Sequence, residues 1–132
     1  MTVLIRSARI GGVHGLAVDT DLSPFVGCLL EVVSVGQYQV NLGFDGLRKI
    51  GITIEGDFAV ALAGRAATMY SSAPEGAADL ASLLGSEVSD ASVIEPGTTS
   101  IRFANGATIT AFDSQAHYES YQIYFGERLI VV

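Results

Sequence analysis

Residues 25–56 and residues 83–114 follow the same course. The first stretch runs Phe25-Val26-Gly27, an apolar alternation, Phe44-Asp45-Gly46 and then Ile50-Gly51-Ile52-Thr53-Ile54. The second runs Leu83-Leu84-Gly85, a weaker alternation, Phe103-Ala104-Asn105-Gly106 and then Ile109-Thr110-Ala111-Phe112. Gly27 matches Gly85, Phe44 matches Phe103, Gly46 matches Gly106 and Ile52 matches Ile109, at offsets of 58, 59, 60 and 57 residues. An echo of near-fixed period constrains the architecture before any single element does, because two like units must be placed against one another. The expectation is two related β units closing on one core.

Length and composition fit that reading. The chain has 132 residues, read as a single domain over 1–132 with residues 1–20 as a possible arm. Apolar residues make up 49% and charged residues 16%, enough for a packed core without a metal or disulfide staple. The net charge is −7 and Lys49 is the sole lysine. Such a surface argues against nucleic acid and anionic membrane as partners, since basic side chains supply that affinity. It permits a basic protein partner; it also suits plain solubility. Cys28 is the only cysteine, so an intrachain disulfide is excluded, and its apolar strand context marks it as a small core hydrophobe. No apolar run is long enough to span a bilayer, and Met1 to Ile10 lacks a signal-peptide pattern. The expected location is cytoplasmic.

The periodicities place the elements. Val3 to Ile5 suits a short strand, and the glycines at 11, 12 and 15 leave residues 10–20 as a loop or arm. Asp21 ahead of Leu22-Ser23-Pro24 signals one helical turn before Gly27. Leu30 and Val32 start a strand. Tyr38, Val40, Leu42 and Phe44 share one strand face, Asp45-Gly46 turns, and Ile50, Ile52 and Ile54 return. Phe58 to Leu62 suits a further strand, although its alanines also allow helix. Pro74 opens the one predicted helix, about 74–84, with Gly85 as its stop. Asn105-Gly106 is a hairpin turn, Tyr118 to Phe125 alternates again, and Arg128 to Val132 closes the chain as a strand that must be paired or covered. The fold class expected is α+β, mainly β: two antiparallel units, as a sandwich or half-closed roll, with one helix between them. The expected core holds Leu30, Val32, Val40, Leu42, Phe44, Ile52, Ile54, Leu80, Leu84, Ile101, Phe103, Ile109, Tyr121, Ile123 and Ile130.

The chemistry-bearing residues do not assemble a reaction. His14 and His117 are the two histidines and share no ligand-pair spacing, so no metal or other cofactor is expected. Neither a glycine-flanked nucleophilic serine nor a phosphate loop is present, and the expectation is a protein that is not an enzyme. The densest functional cluster is His117-Tyr118-Glu119-Ser120-Tyr121. On a strand, Glu119 and Tyr121 share a face, so Glu119 must be paired, hydrogen-bonded or at a rim. Either it satisfies backbone donors or an arginine, or Tyr118, Glu119 and Tyr121 form an acidic aromatic patch for a basic partner.

The Tyr-Gln-Val-Asn-Leu-Gly-Phe strand, the Ile-x-Ile-x-Ile strand, the Phe-x-Asn-Gly hairpin, Tyr118-Glu119-Ser120-Tyr121 and the closing Leu129-Ile130-Val131-Val132 together resemble a group of small bacterial proteins of unknown function. Some members of that group sit in polymorphic-toxin or secretion-system neighbourhoods. The resemblance covers residues 25–132, supplies no catalytic residues and implies an immunity or interaction role. The function expected is therefore a non-enzymatic binding protein that neutralises a basic toxin through an acidic surface. The alternatives are a homodimeric structural module, paired through the final strand, and a small-molecule binder or hydrolase with a site between the two halves.

Overall fold

A computed structural model describes residues 3–6, 8–10, 13–46, 49–113 and 120–132, those before Leu16 by backbone alone. Each of the two units in the sequence is a three-stranded antiparallel meander. The first comprises β4 (Leu30–Val35), β5 (Val40–Phe44) and β6 (Ile50–Ile54), after the short strands β1 (Val3–Arg6), β2 (Ala8–Ile10) and β3 (Val13–Gly15). The hairpin β7 (Phe58–Ala61) and β8 (Thr68–Tyr70) follows it. Then come a 3-10 turn (Pro74–Gly76) and helix α1 (Ala77–Ala81). The second meander comprises β9 (Val88–Glu95), β10 (Thr98–Phe103) and β11 (Thr108–Ala111), and its hairpin is β12 (Tyr121–Phe125) and β13 (Arg128–Val131).

The hairpins do not stay with their own meanders. β7 pairs with β11, and β12 pairs with β6. The resulting sheets run β1-β13-β12-β6-β5-β4 and β8-β7-β11-β10-β9, with β1 parallel to β13. Each half therefore completes the sheet of the other. The joints repeat as well: Glu55 donates its N–H to the Ser120 carbonyl, and Phe112 donates to Asp57 in the matching place.

The two meanders start side by side, where Leu29 and Glu87 form an antiparallel bridge. There Gly27 N–H donates to the Val88 carbonyl and Gly85 N–H to the Leu30 carbonyl. Asp45 N–H reaches the Leu29 carbonyl, as Ala104 N–H reaches Glu87. Gly27 and Gly85 hold φ of +88° and +85°, a left-handed conformation that glycine adopts without a Cβ penalty. Before each glycine, a turn packs two side chains inward, Leu22 and Phe25 in one half and Leu80 and Leu83 in the other, all buried. The repeat thus extends beyond the stretches read from the sequence.

One apolar core lies between the sheets. Phe44 stacks on Phe103 with ring centroids 6.5 Å apart, and Phe25 meets Phe44 edge-on at 5.4 Å. Of the expected core residues, Val32 and Leu84 are exposed instead. A bulge in β4 shifts the register between Leu30 and Val32, so Val33 rather than Val32 packs against the core. The α-helix ends at Ala81, and Leu83, not Leu84, takes the buried place. Tyr38 lies in the turn before β5 and is exposed. Residues 10–20 hold β3 and the buried Leu16 rather than only loop. The last strand, β13, is paired on both sides, by β12 and β1, so it offers no free edge for a dimer.

Candidate interface at the strand crossing

The crossing of β4 and β9 leaves apolar side chains in solvent. Val26, Leu29 and Leu84 stand 49%, 37% and 47% exposed around it. Val26 and Leu84 precede the two left-handed glycines, so they occupy matching places in the repeat. Val26 also lines an open groove of about 1410 Å³, formed with Pro24, Gly27, Cys28, Asp45, Gly46, Ile50 and the β12–β13 turn from Phe125 to Arg128. That volume exceeds the roughly 300–1,000 Å³ of small-molecule pockets, and the groove is open rather than enclosed.

Its polar groups are held in place by local bonds. Asp45 accepts the Leu29 N–H with its carboxylate. In the turn that leads into the groove, Asp21 accepts the Ser23 N–H at 2.9 Å, and bonds from Ser23 hold its carboxyl below the usual carboxylate range. The Cys28 thiol donates to the Pro24 carbonyl at 3.4 Å. Burial, followed by the charge of Asp45, raises its pKa, so it is a protonated and poorly nucleophilic thiol at neutral pH. Arg128 lies over the Phe125 ring at 5.2 Å.

Charge is distributed unevenly around the crossing. From Val26 to Gly46 the charged side chains are Glu31 and Asp45, and from Thr68 to Ala91 they are Glu75, Asp79, Glu87 and Asp90. These two stretches hold no lysine or arginine.

Of the residues anticipated for a partner patch, Tyr121 alone lies among the described residues. Tyr118 and Glu119, and His117 with them, lie outside the described residues. Tyr121 is fully buried between the sheets; its hydroxyl donates to the Gly97 carbonyl at 2.9 Å and bonds Thr99 Oγ1 at 2.9 Å. Its place is in the core, and its hydroxyl is committed there. Asp45 is exposed in the turn read from Asp45-Gly46 and also accepts the Leu29 N–H, a partner 16 positions away that the turn signal could not reveal. Among the described residues, no group of three or more His, Cys, Asp or Glu is placed to hold a metal ion. Among the same residues, no helix is long and apolar enough to cross a membrane.

Residues 21–132 match the model of a family of unknown function, DUF6188. The chain belongs to that family. The DUF6188 match begins where the first repeat begins, at the turn carrying Leu22 and Phe25, and takes in both halves and both exchanged hairpins. Strands β1 to β3 lie outside the DUF6188 match. The chain matches no curated protein and no solved structure.

Proposed function

We propose that this DUF6188 chain is a non-enzymatic binding protein for a basic protein partner, in concrete form a bacterial immunity protein that occludes a toxin in the cytoplasm. The observation that carries the reading is the crossing itself: exposed Val26, Leu29 and Leu84 beside an open groove, in stretches whose charges are all acidic. Apolar anchors flanked by these acidic stretches, in a groove whose lining carries Asp45 and Glu127 against Arg128, suit a cationic protein surface, with the charges steering encounter and the apolar contacts holding the complex.

The test is capture of the tagged protein from a lysate of its source cells, at low and high salt, read by mass spectrometry. The expected result is one stoichiometric basic partner that high salt releases. Recovery of the bait alone would overturn the reading. A partner indifferent to salt would keep binding but remove the electrostatic mechanism.

A further inference from the structure

The internal repeat provides a control within the molecule. β4 and β9 occupy equivalent places 58 residues apart, each is the edge of its sheet, and each carries a bulge near its start. They differ in what guards the edge. In β9, Asp90 lies opposite Arg102; the matching position in β4 is the exposed Val32, opposite Gly43. Further along, Val93 is 2% exposed, whereas its counterpart Val35 is 43% exposed. The chain reaches the end of β9 itself: Gly97 in the β9–β10 turn donates to the carbonyl of the buried Leu16. The corresponding turn after β4 closes on itself, Gly36 to Gln39, and presents Tyr38 at 78% exposure. Natural sheets guard their edges with charge or cover. Along Val32–Val35, past Glu31, β4 carries no charged side chain and, among the described residues, no paired strand on its outer side, which makes that stretch a template for another strand.

We propose that the outer edge of β4 is a strand-addition site, taking an extended basic segment of a partner protein along Val32–Val35 and over Tyr38. The inference rests on the protein-binding reading above and adds the mode of binding. Main-chain pairing would supply affinity, while Val32 on the outer face and Val35, at the exposed end of the inner face, would flank the incoming strand on both sides. Charge selects the occupant. Glu31 is the only charged residue of β4, helix α1, whose one charge is Asp79, packs against that strand, and no lysine or arginine lies in either element. A cationic segment is drawn to that edge, whereas a second copy of a chain of net charge −7 is repelled.

The test is an amide NMR titration of the full chain with a capped peptide of alternating lysine and valine. A glutamate–valine peptide is the control. The paired variants Val32→Lys and Val35→Lys place charges on the outer face and at the half-exposed strand end, and retained spectral dispersion verifies their fold. The expected result is shifts and slowed exchange confined to Val32–Tyr38 with the lysine peptide, weakened roughly tenfold or more by high salt and by the double variant. Shifts elsewhere, an equal response to the glutamate peptide, or no response at millimolar peptide would each overturn the site. Concentration-dependent dimerisation through β4 in sedimentation would overturn it in favour of a second copy. A lysate partner retained equally by wild type and double variant would reject the edge while leaving the binding reading intact.

Discussion

Tyr121 links the two sheets by a polar contact inside an apolar core. Its strand belongs to the six-stranded sheet, and its bonded partners, Thr99 and the Gly97 carbonyl, belong to the other sheet and its turn. Burial pushes the Tyr121 hydroxyl up to about 12, against a smaller opposing effect of the Thr99 bond. An acid whose pKa rises on folding stabilises the native state below its unfolded pKa, near 10. That contribution is lost as pH climbs from about 10 through the folded value. The rise to about 12 corresponds to roughly 2–3 kcal/mol of native-state stability below pH ~10. Urea unfolding followed by circular dichroism between neutral and strongly alkaline pH should show stability falling steeply above pH ~10. Tyr121→Phe should cost about 1–3 kcal/mol at neutral pH, because Thr99 and Gly97 lose a buried partner. It should also flatten the alkaline fall. What slope remains belongs in part to Tyr70 and Tyr124, also raised on folding, the first chiefly by its bond to Asp79 and the second by burial. An unchanged alkaline slope in Tyr121→Phe would show that the wild-type fall has another source.

At the scale of the element, the two left-handed glycines make a paired prediction. A Cβ at Gly27 or Gly85 would meet nothing within 4 Å, so substitution by alanine is penalised by the backbone alone. Gly27→Ala and Gly85→Ala should each cost about 1–2 kcal/mol. Chemical denaturation should find the two costs alike, and a difference beyond about 1 kcal/mol would break the equivalence of the two turns. Much of this level was readable in the sequence because it is written in turn residues. Gly27 and Gly85, Asp45-Gly46, and Asn105-Gly106 stand at chain reversals in both halves. The misreadings have local causes. The bulge after Leu30 changes the parity of β4, turning Val32 outward, and no alternation of residue types reveals an inserted residue. Leu84 follows the helical period, but the α-helix ends before the period can place it. The interface was harder still. Cys28, Asp45, Ile50 and Phe125 come from separate segments, each unremarkable alone; the β4–β5 and β5–β6 pairings gather the first three, and the pairing of β6 with β12 adds Phe125.

The whole molecule has the connectivity of an exchanged dimer held in one chain. Each meander lacks a neighbour that the other half donates, so neither half carries its own complete sheet. Without β12, the inner edge of β6 is open along Ile50–Ile54, and without β7 the edge of β11 is open along Thr108–Ala111. The side chains there are among the most deeply buried of the core, including Ile52, Ile54 and Ile109. A separated half therefore exposes both unpaired backbone and core surface, and both must be covered for folding to proceed. Cutting the chain after Ser71, an exposed residue between the halves, should yield fragments 1–71 and 72–132 that show no cooperative thermal transition alone. Mixed at equal concentration, they should regain a cooperative melt and the near-ultraviolet dichroism of packed aromatics, because Phe44 and Phe103 come from different fragments. Midpoint and recovery should depend on concentration, as the joint becomes bimolecular. A cooperative melt from either fragment by itself, at a concentration where it is monomeric, would mean that a half can close its own core, and mutual completion would then not be what holds the fold.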